Sequence, residues 1–389
     1  VQRILFIVVL LTTPAFPGIS QAADSKSPNS AALEKIGQRM QAFVEGQQVS
    51  GVVTLVAHQG KVVHLKAVGL ADMDQQRPMQ TDSLFCIASM TKPMTATAVM
   101  ILCDEGKLSV DDPVSKYLPD FADIELRSGP PARPLTIGDL MTHTSGVSGN
   151  QQNQGSLEAT VQQFSKRTLK FQPGTQWAYS PGLSICGRII EIVSGQPYEK
   201  FLQQRIFDPL QMTDTTFSPN TEQQTRIVTL YKPSKDKSAL VTEPNWWCRL
   251  NDGRSPNPSG GLFSTAKDVS RFYQMILDGG QYGDVRILSE KSVREMTTVQ
   301  TGELEAGFTP GCGWGYGWGV VRNPQGVTKM LSPGTFGHGG AFGTQGWADP
   351  DRQTIYVLMI QRTGFGNGDA SDIRAGFQDL AVKAVDRNK

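Results

Sequence analysis

Segments patterned as β-strands lie near both ends of this 389-residue chain, and mostly helical pattern fills the stretch between them. Residues 51–57 and 61–68 are apolar-rich runs joined by a His58-Gln59-Gly60 turn, which reads as a hairpin. Residues 335–346 and 354–361 repeat the pattern around Asp349-Pro350-Asp351. A sheet using all four runs must draw strands from both ends, and tight turns favour antiparallel neighbours. The fold class implied is α+β: one antiparallel sheet flanked by helices, with a mostly helical lobe inserted in sequence. The sheet lobe takes in roughly residues 24–84 and 310–389, and the helical lobe roughly 85–309.

Helical spacing recurs at Leu33, Ile36, Met40, Phe43 and Val44, with Ser30 as a fitting N-cap. It also marks residues 94–105, 183–193 and 266–277. A last amphipathic helix sets Ile373, Phe377, Leu380 and Ala384 on one face. A cleft between two such lobes is a usual place for a binding or catalytic site.

The first residues read as a targeting segment. Arg3 precedes the apolar run 4–11, and Ser20-Gln21-Ala22-Ala23 suits a cleavage site, so residues 1–23 are expected to be an export signal. The run is too short to span a bilayer, and no cysteine follows it closely enough for a lipid anchor. The mature chain is therefore expected in the periplasm or outside the cell, with no stable membrane span.

A formal net charge of +1 gives no electrostatic footprint for nucleic acid. The four histidines show no metal-ligand spacing, and P-loop and dinucleotide fingerprints are absent, so no metal or cofactor is expected. Cys86, Cys103, Cys186, Cys248 and Cys312 are scattered, odd in number and without a C-x-x-C pair, which is not a disulfide framework.

The chemistry concentrates at Ser89-Met90-Thr91-Lys92-Pro93. On a helix, Ser89 and Lys92 stand at i and i+3 and share a face. Pro93 is tolerated only near a helix start, which places Ser89 at the positive end of the macrodipole. A serine hydroxyl needs a base. Lysine can serve if desolvation brings its pKa toward neutrality, and Phe85, Ile87, Met90 and Met94 provide apolar company. Downstream, Tyr179 in Gln176-Trp177-Ala178-Tyr179-Ser180-Pro181 offers a phenol as second base or leaving-group acid. Gly337-His338-Gly339-Gly340-Ala341 falls on an expected strand whose glycines let a substrate approach the backbone. The N–H groups of Ser89 and Ala341 could form an oxyanion hole there. Cys86 reads as a small buried hydrophobe, and Trp246-Trp247 as either pocket wall or core.

Taken in order, the runs 85–92 and 105–113, Leu140-Met141-Thr142-His143-Thr144-Ser145-Gly146, Tyr179-Ser180-Pro181, Pro258-Ser259-Gly260-Gly261-Leu262 and His338-Gly339-Gly340 resemble the class C β-lactamase superfamily. That group includes penicillin-recognising peptidases and family VIII carboxylesterases. The resemblance spans nearly all of residues 24–389 and implies a single β-lactamase-like catalytic domain. It implies Ser89 as the acylated nucleophile, Lys92 and Tyr179 as sharing the base work, and Ala341 as second oxyanion donor. His338-Gly339-Gly340 stands in place of a Lys-Thr-Gly strand motif, and His143 belongs to a structural turn.

Two departures narrow the substrate. Pro181 replaces the asparagine of Tyr-x-Asn and offers no amide. His338 replaces a lysine, so a fixed cation for a substrate carboxylate is missing. The expectation is a serine hydrolase of small esters, amides or peptides, with carboxylic esters favoured. A β-lactamase or D-Ala-D-Ala-type peptidase is the nearest alternative, and a catalytically silent binding protein the alternative from another class. A Gly-x-Ser-x-Gly elbow, which an ordinary α/β-hydrolase requires, is not found.

Overall fold

The computed structural model describes residues 28–149, 155–244 and 255–386. The expected signal segment and Trp246-Trp247 lie outside the described residues. The chain opens on helix α1 (Ser30–Glu45) and the hairpin β1 (Gly51–His58) and β2 (Lys61–Asp72), followed by the short β3 (Arg77–Pro78). The cap of α1 is Asn29 rather than Ser30: the Ala32 N–H donates to its side-chain oxygen at 3.2 Å.

After β4 (Phe85–Cys86) and a 3-10 turn (Ala88–Met90), helix α2 (Thr91–Asp104) begins the helical part. It includes α3 (Ile137–Thr142), α4 (Gly182–Ser194), strand β5 (Phe263–Ser264) and α5 (Ala266–Leu277). The chain then returns to strands β6 (Cys312–Trp314), β7 (Gly319–Val321), β8 (Phe336–Gly339), β9 (Gln345–Asp349) and β10 (Thr354–Met359), and ends on α6 (Asp372–Val385).

The main sheet has eight strands in the order β6-β7-β8-β9-β10-β1-β2-β3, with every neighbour antiparallel. The N-terminal hairpin thus joins the C-terminal strands through β1 and β10, where Val53 pairs with Met359 and Thr54 with Leu358. Successive side chains point to opposite faces. Val52, Val56 and Leu358 pack with Leu33 and Ile36 of α1 and Ile373 and Phe377 of α6. Val53, Leu55, Val357 and Met359 join the larger core with Phe272 of α5 and Met94 of α2. Both faces are covered, which explains why β1 carries a near-continuous apolar run rather than clean alternation.

Residues 335–346 are not one strand. The ladder breaks after Gly339, and a turn closed by Gly340 N–H to the Thr344 carbonyl (2.7 Å) sends the chain back as β9. Gly343 makes the reversal possible, with φ +86°. The apolar pair Ala341-Phe342 hides this turn from a periodicity reading. Cys86 is buried as expected, but it is disulfide-bonded, whereas Cys103, Cys186 and Cys312 are free. No close spacing announces that bond. Among the described residues, no helix is long and apolar enough to cross a membrane.

Candidate active site

Ser89 sits in the 3-10 turn that feeds α2, and Lys92 lies in the first turn of that helix, as Pro93 requires. Both are buried, and their side chains meet at 3.1 Å between Nζ and Oγ. The turn is clamped from several directions. Ile87 N–H donates to the Leu262 carbonyl at 3.0 Å, and the Thr91 hydroxyl donates to the Ala88 carbonyl at 2.7 Å. Gln361 binds both backbone groups of Cys86, accepting at 2.9 Å and donating at 3.1 Å. Ala88, just before the serine, is held at φ +44°, a conformation an alanine adopts only under such constraint.

Lys92 is 2% exposed, and burial pulls its pKa down to about 7. Its second contact is the Ser259 carbonyl at 2.6 Å. A carbonyl can only accept, so it takes one N–H and leaves the lone pair of a neutral amine for the Ser89 proton. Ser259 is steadied in turn by Ser184 of α4, at 2.7 Å between hydroxyls. Pro181, where an amide was missing, serves as the N-cap of α4. The lysine is therefore held by a backbone carbonyl of the Pro-Ser-Gly-Gly run, a role that side-chain identity cannot announce.

Tyr179 joins the pair. Its phenol lies beside the Ser89 side chain, and Lys92 Nζ lies 4.7 Å from its ring centroid. The residue is 37% exposed, but its oxygen lies inside, and burial pushes the phenol well above its ordinary pKa. At neutral pH it is an uncharged donor rather than a phenolate. His143 packs on Tyr179 with ring centroids 4.5 Å apart. Its Nδ1 accepts the Ser180 N–H at 3.1 Å, which fixes the backbone beside the tyrosine. His143 is thus a positioning residue for Tyr179, beyond the structural turn the sequence suggests. Trp177, Trp314 and Phe308 complete an aromatic rim, with Phe308 edge-on to Tyr179 at 4.9 Å.

β8 brings His338 to the same place, with its ring 6.1 Å from that of Tyr179 and 5.4 Å from that of Trp314. Burial, reinforced by Lys92, lowers its pKa to about 3, so the imidazole is neutral. Ala341 lies exposed in the turn after β8, and its N–H donates to no other described backbone group. The neighbouring glycines have a reason different from substrate access. A Cβ on Gly339 would lie 2.0 Å from Asp369 Oδ1, and one on Gly340 would lie 2.5 Å from the Ile87 carbonyl oxygen. Gly340 lets the turn close onto the nucleophile loop, and Gly339 leaves room for the Asp369 carboxylate. Gly340→Ala is accordingly expected to reduce kcat and stability together, by about 1–3 kcal/mol of unfolding free energy for the overpacking. Urea denaturation checks this, and an unchanged midpoint would show that the turn yields without strain.

Among the described residues, no group of His, Cys, Asp or Glu side chains is gathered as metal ligands. The arrangement is suited to acyl transfer: a buried hydroxyl, an amine with a free lone pair, a neutral phenol and an unpaired amide N–H.

Comparison with known proteins places the chain as a whole. The Beta-lactamase family profile matches residues 36–381. A putative D-alanyl-D-alanine carboxypeptidase of Escherichia coli K12 is 29% identical over 89% of this chain and 86% of its own. Esterase EstB of Burkholderia gladioli is 27% identical over 82% of this chain and 87% of its own. The solved structure of EstCE1, a hydrolase with promiscuous acyltransferase activity, superposes with a TM-score of 0.77 at 23% identity, covering 91% of this chain and 99% of that one. With its sheet, its helical insert and its ordered motifs, this chain belongs to the β-lactamase family and is a serine hydrolase.

Proposed function

We propose that this protein is an exported esterase that works through an acyl-enzyme on Ser89. The observation that carries the reading is the Lys92 amine, buried beside Ser89 Oγ at 3.1 Å with its pKa brought to about 7. Neutral Lys92 takes the Ser89 proton as Oγ attacks the ester carbonyl. The oxyanion of the tetrahedral adduct is met by the N–H groups of Ser89 and Ala341. Collapse breaks the bond to the alcohol oxygen, which leaves with a proton from Tyr179, itself resupplied by Lys92. Water then attacks the Ser89 ester, gives its proton to the Lys92–Tyr179 pair, and releases the carboxylic acid with the serine restored. The raised phenol pKa suits Tyr179 to passing protons and leaves the base work to Lys92.

Esters are favoured over β-lactams because His338 is neutral and supplies no charge for a substrate carboxylate. The kinship with an esterase supports this reading, and that with a putative D-alanyl-D-alanine carboxypeptidase keeps small peptides as the alternative. Export rests on the Arg3 and 4–11 pattern and the small residues at 20–23.

The test compares p-nitrophenyl butyrate with a chromogenic cephalosporin on the mature protein. Ester turnover well above cephalosporin turnover is expected, with a fluorophosphonate adding one covalent adduct at Ser89. Faster cephalosporin hydrolysis would replace the esterase reading with a β-lactamase one. An absent adduct with no turnover of either would favour a silent binding protein. The intact mass of the secreted chain, expected to begin near residue 24, checks export.

A further inference from the structure

His338 is 3% exposed, and its two ring nitrogens are in unlike situations. Nδ1 lies 2.6 Å from the Gly339 carbonyl oxygen. A carbonyl has no proton to give, so Nδ1 must carry the imidazole's hydrogen. The ring is neutral, and a neutral imidazole has only one such hydrogen. Nε2 is therefore a bare lone pair, buried and without a hydrogen-bond partner. A buried acceptor left unpaired is costly, and such groups mark positions that a ligand or water fills.

The direction of the ring gives that lone pair its meaning. Alternation along β8 sends Gly337 and Gly339 toward Trp347 and Asp369, on the side of α6, and His338 toward Lys92, Tyr179 and Trp314. Three charged groups stand near the strand, and the Asp369 carboxylate takes a hydrogen bond from Gln345 Nε2 at 2.9 Å. Lys92 is committed to Ser89 and Ser259. Arg374 lies with His338 along one small cavity but on the α6 side, the side that Gly337 and Gly339 face; it is stacked 4.0 Å over Trp347, with Nη1 on the Asp369 carbonyl at 2.6 Å and Nε on Gln378 at 3.0 Å, and its Nη2 has no partner among the described residues. Phe308, 40% exposed, lines this cavity beside His338.

We infer that His338 Nε2 accepts a hydrogen bond from a hydroxyl or N–H group of the substrate, so the preferred esters carry such a donor near the scissile bond instead of a carboxylate. This rests on the reading of the site as an esterase. A hydrogen-bond acceptor here reverses what a lysine would select: the lysine attracts an anion, whereas the lone pair repels one and rewards a donor.

Two matched pairs of substrates test it: p-nitrophenyl 3-hydroxybutyrate against p-nitrophenyl butyrate, and 2-hydroxyethyl butyrate against propyl butyrate. In at least one pair the wild type should favour the hydroxylated member by about ten- to a hundredfold in kcat/KM. His338→Phe should bring that ratio to near unity whatever its overall rate, and His338→Lys should instead raise the relative rate of p-nitrophenyl hemisuccinate. Absence of preference in both pairs, a preference that survives in His338→Phe, or a wild-type preference for hemisuccinate would each overturn the inference.

A binding readout separates this from failure of the esterase reading. In Ser89→Ala labelled with nitrogen-15 at histidine, the His338 Nε2 resonance should move on adding the hydroxylated ester of the preferred pair. If neither pair is turned over, both hydroxylated esters are tried, and the apolar partners should leave the resonance in place. A resonance that fails to move would refute the acceptor role even if all four esters are hydrolysed.

Discussion

Ser89→Ala is expected to lower ester turnover by at least about a thousandfold while leaving the protein folded. Such a fall corresponds to about 4 kcal/mol of lost transition-state stabilisation. The substitution removes the atom that forms the covalent bond and leaves the other groups without a nucleophile to serve. Folding should change little. The hydroxyl contributes contacts to Lys92 and Tyr179, whereas the turn itself is held by backbone bonds to Leu262 and by the Gln361 clamp on Cys86. Steady-state kinetics with p-nitrophenyl butyrate, alongside a thermal melt, checks both halves. Turnover that persisted in Ser89→Ala at near wild-type rate would remove the mechanism altogether.

The second large effect concerns Lys92, and its sign follows from burial. An ammonium loses hydration when buried, so the neutral amine is favoured and the pKa falls to about 7. Below that pH Lys92 holds its extra proton and cannot accept one from Ser89, and above it the lone pair is available. The kcat/KM profile should therefore rise through about pH 7 to a plateau, reporting the free enzyme. Tyr179 supplies no falling limb near neutrality, because burial moves its phenol upward. Lys92→Arg keeps the positive charge but cannot be deprotonated, and should cost about 10²–10⁴-fold on the plateau above pH 7, with the rise near 7 gone. A retained rise in Lys92→Arg would assign it to another group.

Much of this could be read from the residues alone. The approach of Lys92 to Ser89 was legible because helical spacing and the position of Pro93 are local constraints, and residues 266–277 form the helix their periodicity dictates. The pairing of strands from both ends was legible from turn chemistry at each hairpin. What escaped was chemistry carried by backbone and by distance. The carbonyl that holds Lys92 belongs to Ser259, 167 positions away, and the Gln361 clamp is 275 positions from Cys86. His143 acts through the face of its ring and an N–H at Ser180, and neither has a sequence signature. Arg374 and Gln378 sit on the buried face of α6 among the apolar positions that identified it. The break at Gly340 had one available sign, the glycine at 343, but the apolar pair Ala341-Phe342 within the turn imitates a strand.

The pairing of β1 with β10 has a consequence for how the molecule comes into being. His58 Nδ1 and Thr354 Oγ1 touch at 2.9 Å although 296 positions separate them. On the ribosome the N-terminal hairpin emerges long before the strand that covers its inner edge. Until then β1 presents unpaired backbone groups and a strongly apolar face, the combination that invites wrong partners. The nascent chain must wait in an unfinished state for most of its synthesis. Contacts of such long range also make closure slow. If the chain is exported, as we propose, this delay is useful, since a sheet that cannot close early does not have to be pulled apart.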